Sequence, residues 1–364
     1  MNTNLISYIA PAAPATRRPA SGDLPILRPE IGFTPKWYSN ALGINFGERW
    51  HTDPAYRRQT RLDMAQELST RFPGIQIGRI NDHSIDILTG TYGTCTIAAI
   101  YGIPIRFDQE QWPTSEHQYL TDEQIESLTP PDLDKNEFFL SLMEQVDWIG
   151  KNEGIVNGFM NWQGVLNNAQ RLRGQDIFKD MYVAPDRTRN LLNCVCTTMI
   201  AAAKRLQEKQ AAYNQSPSFF TVSNCLVNMV DPMLYQEFLL MPDMKIATSF
   251  DAIGIHNCAW SADPYLDHYV KIPNVAYLDM GIGSDLVKAK SYFPDTRRAI
   301  MYTPMDLANK SLAEISSDLE LIAKDYGPCD IVAADIEYGT PDKRVQEFAD
   351  LCNRISDKMN DNIN

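Results

Sequence analysis

Long apolar runs, basic charge and regularly spaced cysteines are all scarce in this chain of 364 residues. No stretch approaches the ~18 consecutive apolar residues that a membrane-spanning helix needs, so we expect no membrane association. The chain has 33 Lys and Arg against 46 Asp and Glu, which gives a net charge of −13. Because nucleic-acid binding requires a basic surface, this balance argues against a nucleic-acid partner.

The seven cysteines follow no disulfide pattern, because their number is odd and no spacing between them repeats. The start of the chain also lacks the pattern of a secretory signal. Arg17 and Arg18 follow the short apolar stretch there, whereas a signal peptide has its positive charges first. We therefore expect a cytoplasmic protein with reduced thiols.

The chain divides into an N-terminal arm and an α/β body. Residues 1–74 begin as a Pro- and Gly-rich extended segment and continue as an amphipathic helix over 52–72. Over 75–364, short β-rich runs alternate with amphipathic helices, which is the pattern of parallel βα units. We predict a (β/α)8 TIM barrel on which the arm packs, with an acidic lid or insertion near 108–140.

Seven barrel strands can be placed from these runs. They are near 75–80 and at 154–160, 218–224, 252–256, 275–280, 299–302 and 330–334. The eighth lies either within the first 50 residues or around 103–107. Active sites of such barrels form at the carboxyl ends of the strands, so the residues that end each strand are the candidates for function.

His256 and Cys258 are the strongest of these candidates. They stand at i and i+2 at the end of a strand, and the two-residue period of a strand turns both side chains to one face. Zinc favours imidazole nitrogen and thiolate sulfur, and a catalytic zinc has three protein ligands and an open fourth position. Asp335 or Glu337, after the last strand, can supply the third ligand. The alternative is that His-x-Cys is an accident of composition without a metal.

Two segments carry a resemblance to a known family. Residues 223–239, Ser-Asn-Cys-Leu-Val-Asn-Met-Val-Asp-Pro-Met-Leu-Tyr-Gln-Glu-Phe-Leu, and 253–258, Ile-Gly-Ile-His-Asn-Cys, resemble the C-terminal half of the uroporphyrinogen decarboxylase (URO-D) superfamily. So do Asp279 with the turn at 284–286, and Gly-Thr-Pro at 339–341. The resemblance covers most of the chain and implies a distorted (β/α)8 barrel.

That superfamily contains two chemistries, and the first is decarboxylation. Its decarboxylases bind substrate carboxylates through an N-terminal Arg-Gln-Ala-Gly-Arg stretch and use an Asp after the first barrel strand. Here only Arg28 and Gly32 match the stretch, and Phe33 replaces the second arginine. Asp82 or Asp86 matches the catalytic Asp. Replacing a guanidinium by a benzyl group removes an anchor for a polycarboxylate, so the sequence resembles the other branch more closely.

The other branch comprises corrinoid-dependent methyltransferases, in which His-x-Cys on one strand and a Cys after the last strand bind zinc. His256 and Cys258 match the first part, and Asp335 and Glu337 stand where the last Cys is expected. The resemblance implies a zinc-dependent methyltransferase that moves a methyl group between a corrinoid (cobalamin) protein and a thiol or similar acceptor. The alternative is uroporphyrinogen decarboxylase, which decarboxylates a tetrapyrrole without a metal.

The resemblance also implies partners and further site residues. Zinc would be the cofactor that this chain binds itself. The chain has no Asp-x-His-x-x-Gly cobalamin motif, so the corrinoid would arrive on a separate protein that docks at 108–140. A small-molecule methyl acceptor completes the reaction, and a homodimer stays open. The predicted catalytic residues are Asp82 and His83, and the predicted substrate-binding residues are Arg28, Trp162, Asn224, Asp279 and Tyr302. A barrel that only binds its partner is a third alternative.

Overall fold

The computed structural model describes residues 25–73, 75, 85–215, 217 and 219–361. Its strands are β1 (Leu27–Phe33), β2 (Ile105–Arg106), β3 (Thr114–Ser115), β4 (Phe219–Ser223), β5 (Ala252–His256), β6 (Val275–Met280), β7 (Arg297–Met301) and β8 (Cys329–Ile336). Six of them form one parallel sheet in the order β1-β8-β7-β6-β5-β4, while β2 and β3 form a separate antiparallel pair. All carboxyl ends of the main sheet therefore lie at one edge.

Helices connect these strands, which confirms the predicted α/β class. They are α1 (Pro35–Leu42), α2 (Glu48–Thr52), α3 (Pro54–Arg71), α4 (Thr96–Ile100), α5 (Asp122–Glu126), α6 (Glu137–Glu153), α7 (Val165–Arg173), α8 (Asp176–Val183), α9 (Pro185–Ala212), α10 (Pro232–Leu234), α11 (Leu240–Ala247), α12 (Leu266–Tyr269), α13 (Leu286–Tyr292), α14 (Pro304–Asn309), α15 (Leu312–Asp325) and α16 (Asp342–Asp361). A 3-10 turn (Val227–Met229) and a π-helical turn (Tyr235–Leu239) precede α11. None of the described helices is both long and apolar enough to cross a bilayer.

The sheet is consistent with a TIM-like barrel, although the described residues do not close it by hydrogen bonds. Beyond the six-stranded sheet, an isolated parallel bridge joins Asp86 and Asn157. Side chains from β4, β6, β7 and β8 nevertheless form one buried cluster with Phe159, which lies outside the sheet. Such a cluster is consistent with a sheet that curves around a common interior, as barrel strands do.

The N-terminal part of the chain contributes more than a surface arm. The strand β1 is buried along its whole length and pairs in parallel with β8. One of the two predicted places for the eighth strand, the first 50 residues, therefore holds a strand of the main sheet. The other place, around 103–107, holds only β2. The helix predicted over 52–72 is α3, and Asp53 caps it by accepting hydrogen bonds from two backbone N–H groups of its first turn.

Other strand predictions differ in outcome. The runs at 252–256 and 275–280 form β5 and β6 with the predicted bounds. The run at 154–160 forms only the bridge at Asn157, and the run near 75–80 lies, except for residue 75, outside the described residues.

Candidate metal centre

Three potential metal ligands meet at the carboxyl ends of β4 and β5. His256 is the last residue of β5, Cys258 follows it by two positions, and Cys225 follows β4 by two. The Cys258 sulfur lies 3.0 Å from the Cys225 sulfur and 3.2 Å from His256 Nε2. The three donor atoms all lie within 4.8 Å of one another, and no other such group of His, Cys, Asp and Glu occurs among the described residues.

The pairing of β4 and β5 explains this convergence. Ser223 is the register partner of His256, so Cys225 and Cys258 leave the sheet side by side. The N–H of Asn224 donates to the carbonyl of His256 at 2.7 Å and extends the ladder by one step. Cys258 has a φ of 54°, in the left-handed region that side-chain-bearing residues seldom occupy. Backbone strain of this kind is concentrated at functional sites.

A buried carboxylate orients the histidine. Asp279 Oδ2, at the end of β6, lies 2.7 Å from His256 Nδ1 and also accepts a hydrogen bond from Tyr277. Its other oxygen accepts from the N–H of Asn257 at 2.7 Å. His256 Nε2 therefore remains free to bind a metal, in the carboxylate–histidine arrangement common at zinc sites. Although burial opposes a charge on His256, Asp279 and the two thiols raise its pKa well above the usual value.

The two thiols differ in acidity. The Cys258 S–H donates to the Cys225 sulfur, and this hydrogen bond, with the nearby His256, holds the pKa of Cys225 well below the usual value despite burial. The same hydrogen bond, together with burial, raises the pKa of Cys258. Cys225 is thus the more acidic of the two thiols. A coordinated metal would deprotonate the second thiol, because a metal-bound thiol ionises outright.

The donor set fits zinc. Two sulfurs and one imidazole nitrogen are a ligand set of catalytic zinc sites, which leave the fourth position open. In a tetrahedron with Zn–S of about 2.3 Å and Zn–N of about 2.0 Å, neighbouring ligands lie about 3.5–3.8 Å apart. The Cys258 sulfur lies closer than this both to the Cys225 sulfur, at 3.0 Å, and to His256 Nε2, at 3.2 Å. Each of these two distances needs to grow by less than about 1 Å to accommodate the ion.

The third potential ligand that the structure brings to His256 and Cys258 is Cys225, and not the predicted Asp335 or Glu337. On β8 the register partners of Ile31 and Phe33 are Ala333 and Ile336, so this strand carries an extra residue and a bulge at its end. Asp335, at the bulge, has a φ of 58°, and Glu337 is exposed. Neither belongs to the converging group.

Asp335 differs from an ordinary carboxyl group in its acidity. Burial and the neighbouring Glu337 raise the pKa of Asp335 to about 6, while His256 acts in the opposite direction.

The signal for Cys225 was present in the sequence. The predicted strands 218–224 and 252–256 are consecutive βα units, and consecutive parallel strands are usually neighbours in the sheet. A cysteine directly after the first of these strands is therefore a natural partner for His256 and Cys258.

Three of the predicted substrate-binding residues are engaged in contacts within the fold. Arg28 lies near the amino end of β1, opposite the metal centre, where Asp330 occupies its guanidinium group in a buried ion pair. Tyr302 donates to Asp318 of α15 at 2.7 Å and therefore lies between the sheet and the outer helices. Asp279 is fully buried behind His256 and cannot line a cavity.

The other predicted site residues have different positions. Asn224 is buried beside Cys225, with its amide bonded to Asp243 at 3.0 Å. Trp162 borders a cleft next to β4. The predicted catalytic residues Asp82 and His83 lie outside the described residues.

Comparison with known proteins identifies the fold. No protein-family model matches the chain, and no curated protein does. Among solved structures, a methyltransferase from Methanosarcina mazei superposes with a TM-score of 0.64 at 15% sequence identity. The superposition covers 92% of this chain and 95% of the other. Over nearly its whole length, this chain therefore shares the fold of that methyltransferase.

Proposed function

We propose that the protein is a zinc-dependent methyltransferase that moves a methyl group between a corrinoid carried by a partner protein and a thiol or similar acceptor. The observation that carries the proposal is the convergence of Cys225, His256 and Cys258 at the carboxyl ends of adjacent strands. Active sites of βα barrels form at this end, and the superposed structure is named a methyltransferase.

Each residue of the centre has a definite role in this proposal. His256 Nε2 and the sulfurs of Cys225 and Cys258 would hold the ion, and zinc bound there would keep an acceptor thiol in its nucleophilic thiolate form at neutral pH. Asp279 keeps the hydrogen bond to Nδ1 and so fixes the tautomer and orientation of the imidazole ring.

Exposed apolar side chains support the docking of a corrinoid protein at this end of the sheet. They belong to the segments that follow the strands: Met229 and Met233 after β4, Val287 after β6, Met305 after β7 and Tyr338 after β8. Each of these segments starts at the carboxyl end of its strand, so their exposed apolar side chains would form part of the docking surface. The proposed docking surface therefore extends beyond the predicted lid at 108–140.

The alternative, tetrapyrrole decarboxylation, draws less support from the site. Its substrate is an anion that requires free arginines, whereas Arg28 is buried and paired with Asp330. A decarboxylase of this kind also has no use for two sulfurs and an imidazole within 4.8 Å of one another.

The deciding experiment is metal analysis combined with methyl transfer. We expect about one zinc per chain after exhaustive dialysis, and loss of that zinc in Cys225→Ser but not in Cys194→Ser, a matched change in helix α9. With methylcobalamin and a panel of thiols, the wild type should demethylate the corrinoid only when zinc is bound. Absence of zinc from the wild type, or turnover of uroporphyrinogen without metal, would overturn the proposal.

A further inference from the structure

We infer that Asp243 is a positioning residue of the metal centre and that, through Asn224, it holds Cys225 in place as the third ligand. The inference deepens the proposed function and rests on its metal site. It concerns residues that do not themselves contact the ion.

The contacts form a short buried chain. Asn224 Nδ2 donates to Asp243 Oδ2 at 3.0 Å, and the hydroxyl of Tyr235 donates to the same oxygen at 2.7 Å. All three side chains are buried. The backbone N–H of Asn224 also donates to the carbonyl of His256. Asn224 therefore links Asp243 to both strands that carry ligands.

The other side of Cys225 is anchored independently. The N–H of Leu226 donates to Asn167 Oδ1 at 3.2 Å, and the carbonyl of Val227 accepts from Tyr265 at 2.8 Å. Cys225 is thus held from both neighbours along the chain. Only the anchor at Asn224 depends on a carboxylate.

A π-helical turn aligns the two groups that complete this arrangement. Tyr235 begins the turn and Asp243 lies eight positions later in α11. A π-helical turn contains about one extra residue, so this separation behaves like seven residues, or about two turns of an α-helix. The two side chains therefore point the same way. In a regular α-helix, residues eight positions apart point in different directions around the axis, so the Tyr235 hydroxyl and the Asp243 carboxylate would not meet.

The burial of the Asp243 carboxyl group is unfavourable in free energy, and packing alone gives no reason for a carboxyl group at this position. Burial raises the pKa of Asp243 to about 6, although the hydrogen bonds from Tyr235 and Asn224 act in the opposite direction. A buried carboxylate without an opposite charge is usually less stable than an apolar side chain of similar size. Its retention here is explained if the carboxylate holds Asn224, and with it the loop of Cys225.

The test replaces the proposed zinc by Co2+ and records the near-ultraviolet absorption of cobalt–thiolate bonds. We expect two thiolates in the wild type, whereas Asp243→Ala should lose Cys225 as a ligand. The band should then fall by about half and affinity by about 10-fold, a typical effect of removing a residue that orients a ligand. Asp243→Asn keeps an acceptor oxygen for both hydrogen bonds and should restore the wild-type spectrum.

Two further variants separate positioning from general stability. Asp318→Ala removes a carboxylate that accepts a tyrosine hydroxyl at the same distance of 2.7 Å, but on α15 and away from the centre, so its spectrum should be unchanged. Asn224→Ala removes the donor instead of the buried charge and should reproduce the loss even if Asp243→Ala does not fold. If Asp243→Ala or Asn224→Ala showed the wild-type absorption band, the inference would be overturned and the proposed metal site would stand. A wild type that binds neither Co2+ nor zinc would overturn the proposed metal site as well.

Discussion

His256 is held on one side by Asp279 and faces Cys258 on the other. The buried carboxylate fixes which ring nitrogen is available and prevents the ring from turning away. Tyr277 and Asn257 in turn fix the carboxylate. The centre is therefore already arranged before an ion binds, so little of the binding free energy is lost in ordering its ligands.

Removal of this carboxylate should weaken metal binding without abolishing it. We expect Asp279→Ala to lower zinc affinity by about 10–100-fold, because His256 loses the partner that orients it. The affinity is measured by competition with a chromogenic chelator. Glu337→Gln is the control, since Glu337 is exposed and lies outside the converging group, and it should stay within about twofold of the wild type. A large loss of affinity in Glu337→Gln would restore the sequence-based choice of ligand.

Asp335 should make stability depend on pH. Its pKa is about 6 in the folded protein and about 3.9 in the unfolded chain. Between pH 4 and pH 6 the folded state therefore binds more protons than the unfolded state. Stability therefore falls as pH rises from about 4 to 6, and Asp335→Asn should remove that loss. In urea unfolding of metal-free protein, we expect the variant to be more stable than wild type by about 1–3 kcal/mol at pH 7.5 and equally stable near pH 4. A variant that is no more stable at pH 7.5 would contradict this assignment.

At the scale of elements, the loop after β5 is pressed against the end of β6. The N–H of Gly281 donates to the carbonyl of Trp260, and a Cβ at Gly281 would lie only 2.0 Å from the carbonyl oxygen of Ala259. The chain directly after Cys258 therefore cannot keep its path if residue 281 gains a side chain. At Gly283 the space is open.

These two glycines give a matched pair of variants. Gly281→Ala should displace the loop that positions Cys258 and lower zinc affinity by at least about 10-fold, since ligand geometry must hold within a few tenths of an ångström. Gly283→Ala should bind zinc like the wild type. Both are measured by the same chelator competition. Equal affinities in the two variants would contradict the role of this contact.

Elements with a strong local signal were predictable, and pairings between elements were not. The strand that ends at His256 was predicted with correct bounds, because its apolar run is short and clearly bounded. The order of the strands along the chain made β4 and β5 predictable neighbours, but the register that brings Cys225 beside Cys258 is encoded by no local pattern. The bulge that separates Asp335 from the ligand group is likewise a property of the pairing of β8 with β1. Tyr302 was misplaced because a strand end indicates the edge of the sheet but not the face on which a side chain lies.

At the scale of the whole molecule, the two ends of the main sheet differ in chemistry. The sulfur and imidazole groups lie at the carboxyl end, whereas Asp330 pairs with Arg28 and Arg297 near the amino ends of β1, β7 and β8. All three side chains are buried. These ion pairs tie the three strands together and engage both guanidinium groups.

Loss of Asp330 should therefore affect folding and not metal binding. We expect Asp330→Ala to lower the free energy of unfolding by about 3–5 kcal/mol, because it removes the carboxylate that two buried guanidinium groups share. Asp350→Ala, at an exposed position on α16, should change it by less than about 0.5 kcal/mol. Urea titration measures both. Under native conditions the folded fraction of Asp330→Ala should keep wild-type zinc affinity, and a reduced affinity would show that the two ends are coupled.

The parallel pairing of β1 with β8 has a consequence for biosynthesis. Leu27 has Cys329 as its register partner, so one of the first strands to leave the ribosome must wait for the last one before its backbone groups find partners. Contacts between residues so distant along the chain are slow to form, because a long loop must close first. The remaining strands, β4 to β7, can add to one another as they are translated, while the apolar side chains of β1 stay uncovered. We expect the nascent polypeptide to be most exposed to aggregation during that interval.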